Sequence, residues 1–411
     1  MVKWINKSIG EIGRVITGNT PPTAEHKYWE HNDYPFVTPS DIKGFDIRYN
    51  YQTERYISKE WLKKSGDLLP KDTICFVCIG STIGKMCLLK EPSFTNQQIN
   101  SIICFDNYDS KYIYYALRNI QKDVVNNFGG GGAVKEIINK STFEKIQILI
   151  PTSLIEQKSI SKILSSLDDK IELNNKMSRT LEKIAQAIFK HWFIDFEFPD
   201  ENGKPYKSSG GKMVDSEMGK IPEGWKVVML ENVVIRNKKA MRKKEEWENK
   251  KIIDLSVMPN FSMIINTFNE GKNFKTNIYE LNEYDILFGS IRPYFGKAGF
   301  SPIKGAITGT VYSFKPNDDS LFSYILLNIT NKNFIDYTIQ YSRGTKMPII
   351  NWDDIIKYRI LMPNNKTLIN NFEKLVKPLI VQIKENILQN QTLSQLRDSL
   401  LPRLMSGKIS L

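Results

Sequence analysis

Residues 153–193 constrain the fold of this chain more than any other stretch. They contain neither Gly nor Pro, and they follow Pro151. Apolar side chains recur at helical spacing, at Ile160, Ile163, Leu167, Ile171, Met177, Leu181, Ile184, Ile188 and Trp192. This pattern predicts one long amphipathic helix with a heptad seam. With a rise of ~1.5 Å per residue, about 40 residues would span about 60 Å.

The same pattern returns 212 residues later. The matching seam residues are Phe372, Leu375, Leu379, Ile383, Leu393, Leu396, Leu400 and Leu404, and the polar Asn386 aligns with Asn174. Residues 132–151 also align without gaps on 344–363, with eight identical pairs. A shared offset through a loop, a strand and a helix indicates an internal duplication.

The duplication predicts an α+β fold in which two mixed α/β domains are separated by two long antiparallel coiled-coil helices. The repeat would be related by a pseudo-two-fold axis. We place the boundaries at 1–152 for the first domain, 153–195 for its helix, 196–222 for an extended linker, 223–363 for the second domain and 364–411 for its helix. Strands are expected within 71–81, 143–151, 284–291 and 356–363.

The alternative to paired helices is that each helix is buried beside its own domain. The matched Asn174 and Asn386 favour the paired arrangement, because polar seam residues can fix register.

Composition favours a polyanionic partner. Lys and Arg outnumber Asp and Glu by 57 to 45, and the sequence pI is about 9.2. Nucleic acid is the first candidate and an anionic membrane surface the second. The N-terminus has no apolar signal region, no run is long enough to span a membrane, and only four cysteines occur. A cytoplasmic protein is therefore expected.

No pattern of catalytic or metal-binding residues emerges. His26 and His31 lie in a polar segment with no further ligand nearby, and Cys75 and Cys78 fit the two faces of a buried strand. Residues 80–85 have one residue too few between their glycines for a phosphate loop. We therefore predict neither a catalytic nor a metal site in this chain.

The chain does carry residues suited to binding DNA. Arg and Lys match guanine edges and phosphates, and Asn and Gln match adenine edges. The candidates in the first domain are Thr38, Ser40, Lys43, Lys85, Asn96 and Gln97. Those in the second domain are Arg236, Lys238, Lys239, Arg292, Tyr294, Lys297, Arg343 and Lys346. Residues 235–251 hold eight basic against three acidic side chains, and an equally good interpretation of that segment is a solvated helix face.

Several segments resemble the specificity (S) subunit of type I restriction-modification systems. The sharpest is 191–225, which is similar to the central conserved region of that family. Residues 9–23, 36–42, 80–103 and 396–409 match further family segments in the same order. In the second domain, residues 289–300 stand where residues 80–89 stand in the first, and they differ from the family pattern. Inference about the DNA target is therefore weakest in the second domain.

The resemblance implies two target recognition domains, each recognising one half of a bipartite, asymmetric double-stranded DNA sequence. The helix pair would fix the gap and bind two methyltransferase (M) subunits, which carry S-adenosylmethionine. Restriction (R) subunits would bring ATP and Mg²⁺, and this chain would bind no cofactor and no membrane. Two alternatives stay open: a single-chain DNA modification enzyme or nuclease with an unrecognised active site, and a coiled-coil scaffold with no nucleic-acid role.

Overall fold

The computed structural model describes residues 3–44, 48–50, 52–128 and 137–409. The chain divides into two compact units. The first unit combines Met1–Ile171 with Thr392–Leu411, and the second unit is Glu172–Gln391. Each unit therefore contains part of both long helices.

The first unit is built on two small sheets. Its described strands are β1 (Trp4–Ser8), β2 (Gly13–Thr17), β3 (Tyr34–Val37), β4 (Tyr49–Asn50), β5 (Arg55–Ile57), β6 (Ile74–Val77), β7 (Met86–Leu89), β8 (Phe94–Thr95), β9 (Ile99–Cys104) and β10 (Gln147–Pro151). Its helices are α1 (Ile9–Ile12), α2 (Lys59–Ser65), α3 (Ser110–Phe128) and α4 (Lys140–Glu144). The strand orders are β2-β9-β6-β7-β4 and β5-β3-β8, and β1 pairs with β10.

Strand β6 shows why this part of the sequence was predictable. Ile74 and Phe76 face one hydrophobic core, whereas Cys75 and Val77 face another. A strand that is buried on both faces gives a continuous apolar run. Cys75 and Cys78 lie in different cores, as predicted, and burial raises the pKa of the Cys78 thiol.

The second unit repeats this plan. Its described strands are β11 (Met213–Ser216), β12 (Gly219–Pro222), β13 (Trp225–Met229), β14 (Val234–Asn237), β15 (Ala240–Met241), β16 (Lys251–Ile253), β17 (Asn269–Glu270), β18 (Ile278–Leu281), β19 (Ile286–Gly289), β20 (Ala298–Phe300), β21 (Gly305–Thr308), β22 (Val311–Pro316) and β23 (Arg359–Pro363). Its short helices are α6 (Phe322–Thr330), α7 (Lys332–Gln340) and α8 (Trp352–Ile355). The sheet orders are β14-β22-β19-β20 and β15-β18-β21-β16-β17, with separate pairs β11-β12 and β13-β23.

The internal repeat is confirmed in individual hydrogen bonds. The Tyr112 hydroxyl donates to the Leu149 carbonyl, and the Tyr324 hydroxyl, 212 residues later, donates to the Leu361 carbonyl. Strands β6, β7 and β9 return at the same offset as β19, β20 and β22. Both units thus share one mixed α/β architecture, as the duplication predicts.

The two long helices are α5 (Leu154–Phe189), followed by a π-helical turn at Lys190–Ile194, and α9 (Lys366–Met405). Each begins after a capping side chain at an equivalent position. The Ser153 hydroxyl accepts from the Glu156 amide at 3.4 Å, and Asn365 Oδ1 accepts from the Thr367 amide at 2.8 Å. Side chains of this kind satisfy the free amide groups of a first turn.

Within each unit the two helices run antiparallel. In the second unit the rings of Phe189 and Phe372 lie 6.3 Å apart, and Asn174 contacts Asn390. In the first unit Asp168 contacts Arg397, and Ile160 lies in the same hydrophobic core as Leu404. The predicted antiparallel helix pair is therefore confirmed in both units.

The predicted seam was partly wrong. Ile160, Phe372, Ile383 and Leu404 are buried, but Ile184, Leu375 and Leu396 are each more than 40% exposed. The buried positions shift by about one residue, to Ser161, Leu164, Asp168, Ser178, Glu182, Ala185 and Phe189 in α5, and to Ile369, Val376, Ile380, Ile387, Arg397 and Leu401 in α9. The buried side of each helix includes polar residues that have partners there, such as Asp168, Glu182 and Arg397, and a pattern of apolar residues alone does not include them.

The segment expected to be an extended linker is folded. Strands β11 and β12 form a hairpin between Met213 and Pro222. The Phe198 ring stacks on Tyr206 at 4.6 Å and on Trp225 at 5.3 Å, between ring centroids. The Gly, Pro and charged residues of 196–222 suggest an open chain, but the aromatic residues form a local hydrophobic core.

Candidate nucleic-acid interface

The candidate residues of the first unit converge on three neighbouring loops. The Asn96 amide donates to the Val37 carbonyl at 3.3 Å, which joins the β8–β9 turn to the loop after β3. The Lys85 amine donates to the Ile42 carbonyl at 3.1 Å, which joins the β6–β7 turn to the same loop. These contacts place all six predicted residues of the first unit in one region.

Two of these residues shape the loops from inside. Thr38 is buried, and its hydroxyl and amide donate to Asp41 Oδ2 at 2.7 and 2.8 Å. Asn96 is also buried and closes its own turn through two hydrogen bonds with Gln98, at 3.0 and 3.1 Å. Short polar side chains commonly stabilise turns in this way.

The other side chains of this region face solvent. Ser40, Lys43 and Gln97 are exposed. The Lys43 amine lies 3.7 Å from the Glu54 carboxylate. Gln97 Oε1 accepts a hydrogen bond from the Thr20 hydroxyl at 2.5 Å. We call Ser40, Lys43 and Gln97 the first loop surface.

Lys85 and Lys297 are equivalent residues of the two repeats, and the side chain of each is held by a hydrogen bond. Each amine donates to a backbone carbonyl, that of Ile42 for Lys85 and that of Leu255 for Lys297. Partial burial lowers the pKa of the Lys297 amine. This repeated contact holds the hairpin turn against the preceding loop, which is a positioning role.

In the second unit, two adjacent loops carry four of the candidates. The Arg292 amide donates to the Pro348 carbonyl at 2.7 Å, and Arg343 and Ile349 exchange two backbone hydrogen bonds at 2.8 and 2.9 Å. Arg292, Tyr294, Arg343 and Lys346 are all exposed on these loops. The Arg343 guanidinium lies 3.6 Å from Asp354, and 76% of its side chain remains accessible.

Sequence reasoning missed the apolar part of this region. Phe261 is 63% exposed, and Met347 is half exposed. The Phe261 ring covers Gly296, where an added Cβ would lie 2.5 Å from the ring. An isolated Phe in an irregular loop has no periodic signal, so only the structure locates it. We call Phe261, Arg292, Tyr294, Arg343, Lys346 and Met347 the second loop surface.

The basic segment 235–251 is not a helix. It forms strands β14 and β15, each at the edge of its sheet, followed by a 3₁₀ turn at Lys244–Glu246 and strand β16. The Arg236 guanidinium lies over the rings of Tyr312 and Trp352, at 4.7 and 5.1 Å from their centroids. Lys239 pairs with Glu280 at 2.5 Å. Lys238 is exposed, and charged edge positions also protect a sheet from pairing with other chains.

Asn174 and Asn386 occupy equivalent buried positions within the second unit. Asn174 Nδ2 donates to Gln389 at 2.7 Å and to Asn390 at 2.9 Å, and Asn386 Nδ2 donates to the Ser178 hydroxyl at 3.1 Å. The two residues do not pair with each other; each contacts the opposite helix. These directional bonds are suited to the register role expected for them.

Buried carboxylates of the long helices hold loops of the second unit. Glu182 on α5 accepts from the Met263 amide at 2.5 Å and from the Ser262 hydroxyl at 2.9 Å. Glu373 on α9 accepts from the Ser323 amide at 2.8 Å. Burial raises the pKa of both carboxyl groups. The loop that carries Phe261 is thus fastened directly to a long helix.

Within residues 3–44, 48–50, 52–128 and 137–409, no group of three or more His, Cys, Asp or Glu side chains could hold a metal ion. No helix in these ranges has the length and apolar character needed to cross a membrane.

Known proteins provide a family comparison. A family model described as the type I restriction modification DNA specificity domain matches residues 1–183 and 222–390. The MjaIX type I restriction enzyme specificity subunit of Methanocaldococcus jannaschii is 31% identical over 422 residues, covering 99% of this chain and 93% of that protein. The EcoR124I/EcoR124II specificity subunit of Escherichia coli is 31% identical over 208 residues, covering 48% and 49% of the two chains. The crystal structure of a type I S subunit from M. genitalium superposes with a TM-score of 0.59 at 16% identity, covering 98% and 96% of the two chains, which shows a shared fold.

Proposed function

Because this chain belongs to the type I restriction modification DNA specificity family, we propose that each of its two units recognises one half of a bipartite DNA target. DNA sequence specificity is the role for which the family is described. The duplication carries the finer proposal, since one architecture occurs twice in one chain. Each unit has its own exposed loop surface, formed where hairpin turns meet.

The two loop surfaces differ in chemistry, which supports an asymmetric target. The first offers a hydroxyl, an amine and an amide, at Ser40, Lys43 and Gln97. The second offers two guanidinium groups beside exposed apolar side chains. Arginine is suited to guanine and to phosphate, whereas glutamine is suited to adenine. Two weak sites on one chain gain affinity only when both half-sites lie at the right separation.

We further propose that the helix pair sets that separation and binds two methyltransferase subunits. The family to which the chain belongs and the length of the two helices, 36 and 40 residues, support this proposal. S-adenosylmethionine would then be carried by the methyltransferase subunits, and ATP and Mg²⁺ by restriction subunits. This chain would supply recognition and positioning, and the methyl transfer would be performed by its partner.

A methyl-transfer assay separates this proposal from a single-chain enzyme. Purified chain is incubated with DNA and labelled S-adenosylmethionine, alone and with its methyltransferase partner. We expect label in DNA only when both proteins are present. Methylation or cleavage by the chain alone would establish the enzyme alternative instead.

DNA retention distinguishes the proposal from a purely structural scaffold. The complex with the methyltransferase should retain DNA in a salt-sensitive manner, because cationic contacts release counterions. The methyltransferase without this chain should lack sequence-specific retention. Equal retention with and without the chain would favour the scaffold.

A further inference from the structure

The first unit contains a buried charged network that links both long helices to the domain. Asp168 on α5 accepts from the Arg397 guanidinium of α9 at 2.7 Å through Oδ1. Its Oδ2 accepts from the Tyr115 hydroxyl of α3 at 2.5 Å. All three residues are at most 3% exposed. Groups that are this deeply buried depend on one another for their hydrogen bonds.

Further charges complete the network around this centre. The Arg48 guanidinium donates to the Ser165 carbonyl at 3.0 Å and pairs with Asp169, one turn along α5. Arg397 also donates through Nε to Asp398 at 2.9 Å. Every ionised group at the core of the network therefore has a partner from the same unit.

The second repeat builds the same architecture without these charges. At the offset of 212, Tyr115 corresponds to Leu327, Asp168 to Ile380, and Arg397 to Ala185. Leu327, Ile380 and Ala185 are also buried, in the core of the second unit. An apolar trio thus suffices where the fold alone must be stabilised, and the trio that contains the buried ion pair needs another explanation.

We propose that this network makes the helix pair heterotypic, so that α5 accepts α9 and rejects a second copy of itself. In a symmetric α5–α5 pair, Asp168 would face Ala185 of the other copy, twice. Each carboxylate would then be buried without its arginine. In an α9–α9 pair, Arg397 would face Ile380, also twice. Burying an unpartnered charge is far more costly than burying a satisfied pair, so both homotypic pairs are disfavoured.

The central polar residues cannot make this distinction. Asn174 is equivalent to Asn386, and Ser178 is equivalent to Asn390. Asn386 bonds to Ser178, and Asn174 bonds to Asn390. A homotypic α5 pair would still place Asn174 opposite Ser178, with a hydrogen bond available. Discrimination therefore depends on Asp168 and Arg397, because Tyr115 lies on α3 and can bond to Asp168 in either kind of pair.

Heterotypic pairing has a consequence that rests on the proposed function. It would join two unlike recognition domains, and not two copies of one domain, through each helix pair, and so keep the DNA target asymmetric. The pairing itself does not depend on DNA, and it can be tested without any DNA measurement. Failure of one proposal would therefore leave the other intact.

The test transplants the apolar trio of the second repeat into the first unit of the full-length chain. The variant is Tyr115→Leu, Asp168→Ile and Arg397→Ala, and its mass is measured by light scattering over a range of concentrations. We expect the triple variant to form homotypic dimers with a dissociation constant at least about tenfold lower than that of the wild-type chain. Circular dichroism checks that the helix content is retained. A folded variant with the same mass profile as wild type would overturn the proposal.

A second variant covers the case in which the triple variant does not fold. Asp168→Asn with Arg397→Gln keeps polar groups of similar shape at both positions but removes the charges. Neutral amides cost less to leave unpaired than ions, so homotypic dimers should again increase. A replacement of exposed residues on the same helices, Glu385→Gln with Lys170→Gln, serves as the control and should leave the mass profile unchanged. An increase only in the control, or in neither variant, contradicts the inference.

Discussion

At the scale of single residues, buried polar groups on the long helices replace apolar contacts. Glu182 is the clearest case in the second unit, where it accepts two hydrogen bonds from the loop before Ile264. Burial opposes the charged form and raises the pKa of this carboxyl. We therefore expect the loop that carries Phe261 to respond to the protonation of Glu182.

This raised pKa has a definite sign for stability. The folded state holds the proton more tightly than the unfolded state. The contribution of Glu182 to folding stability is therefore fully present below the pKa of the unfolded state, near 4.5. It is lost as pH rises through the higher pKa of the folded state. In urea unfolding across this range, wild type should lose stability relative to Glu182→Gln. The exposed Glu385→Gln should follow wild type. A constant difference between wild type and Glu182→Gln at every pH would contradict this assignment.

Arg292 and Arg343 carry the residue-scale prediction for DNA. If either contacts a guanine edge, its replacement by Ala should weaken binding by about 1–3 kcal/mol and relax one half-site. If it contacts phosphate, binding should weaken for all sequences and the salt slope should fall by about one. Lys220→Ala, on β12, removes one exposed positive charge and serves as the control. It should change neither the DNA affinity nor the half-site that is selected. DNA selected by each variant complex distinguishes these outcomes, and unchanged affinity in both arginine variants would exclude this surface.

Residue types were predictable from sequence, but side-chain direction was not. Thr38 and Asn96 have the polarity of base-contacting groups, yet their hydrogen bonds close the turns in which they lie. The charges of Lys85 and Lys297 suggest contact with DNA, yet both amines donate to backbone carbonyls. Arg292 and Arg343 remain exposed because their loops are closed by main-chain bonds instead. Only tertiary contacts separate these two cases.

At the scale of elements, the spacing of apolar residues predicted those helices and strands in which one pattern of burial repeats along the whole element. The long helices and strands such as β6 were found because one pattern of burial persists along each. The hairpin β11–β12 was missed because its stability comes from Phe198, Tyr206 and Trp225, which are scattered among Gly, Pro and charged residues. The helix seam was misplaced because neighbouring polar residues are buried with partners.

Phe198 provides the element-scale prediction. Its ring is stacked on two aromatic neighbours, so Phe198→Ala should destabilise the second unit by about 3–5 kcal/mol. Met218, in the turn of the same hairpin, is 44% exposed, and Met218→Ala should change stability by less than about 0.5 kcal/mol. Urea unfolding and limited proteolysis at 196–222 measure both. Equal behaviour of the two variants would indicate that this segment is an open linker after all.

At the scale of the whole molecule, the duplication links fold to function. One architecture, encoded twice at an offset of 212, supplies two loop surfaces of different chemistry on one chain. The long helices belong to both units by sequence, and under the proposed function their length would control how far apart two half-sites may lie.

Helix length therefore carries the whole-molecule prediction. Inserting four residues after Ile171 and four after Gln391 adds about one turn to each helix, or ~6 Å. The gap recognised in DNA should lengthen by about two base pairs, while both half-sites stay the same. Altered half-sites with an unchanged gap would show that the helices do not set the distance.

The most direct test is to determine which DNA the complex selects. Random duplex DNA is bound by this chain together with its methyltransferase partner, and the retained molecules are sequenced. We predict two unlike half-sites separated by a gap of fixed length and variable sequence. A single contiguous motif, a palindrome of identical halves, or the same selection by the methyltransferase alone would contradict it.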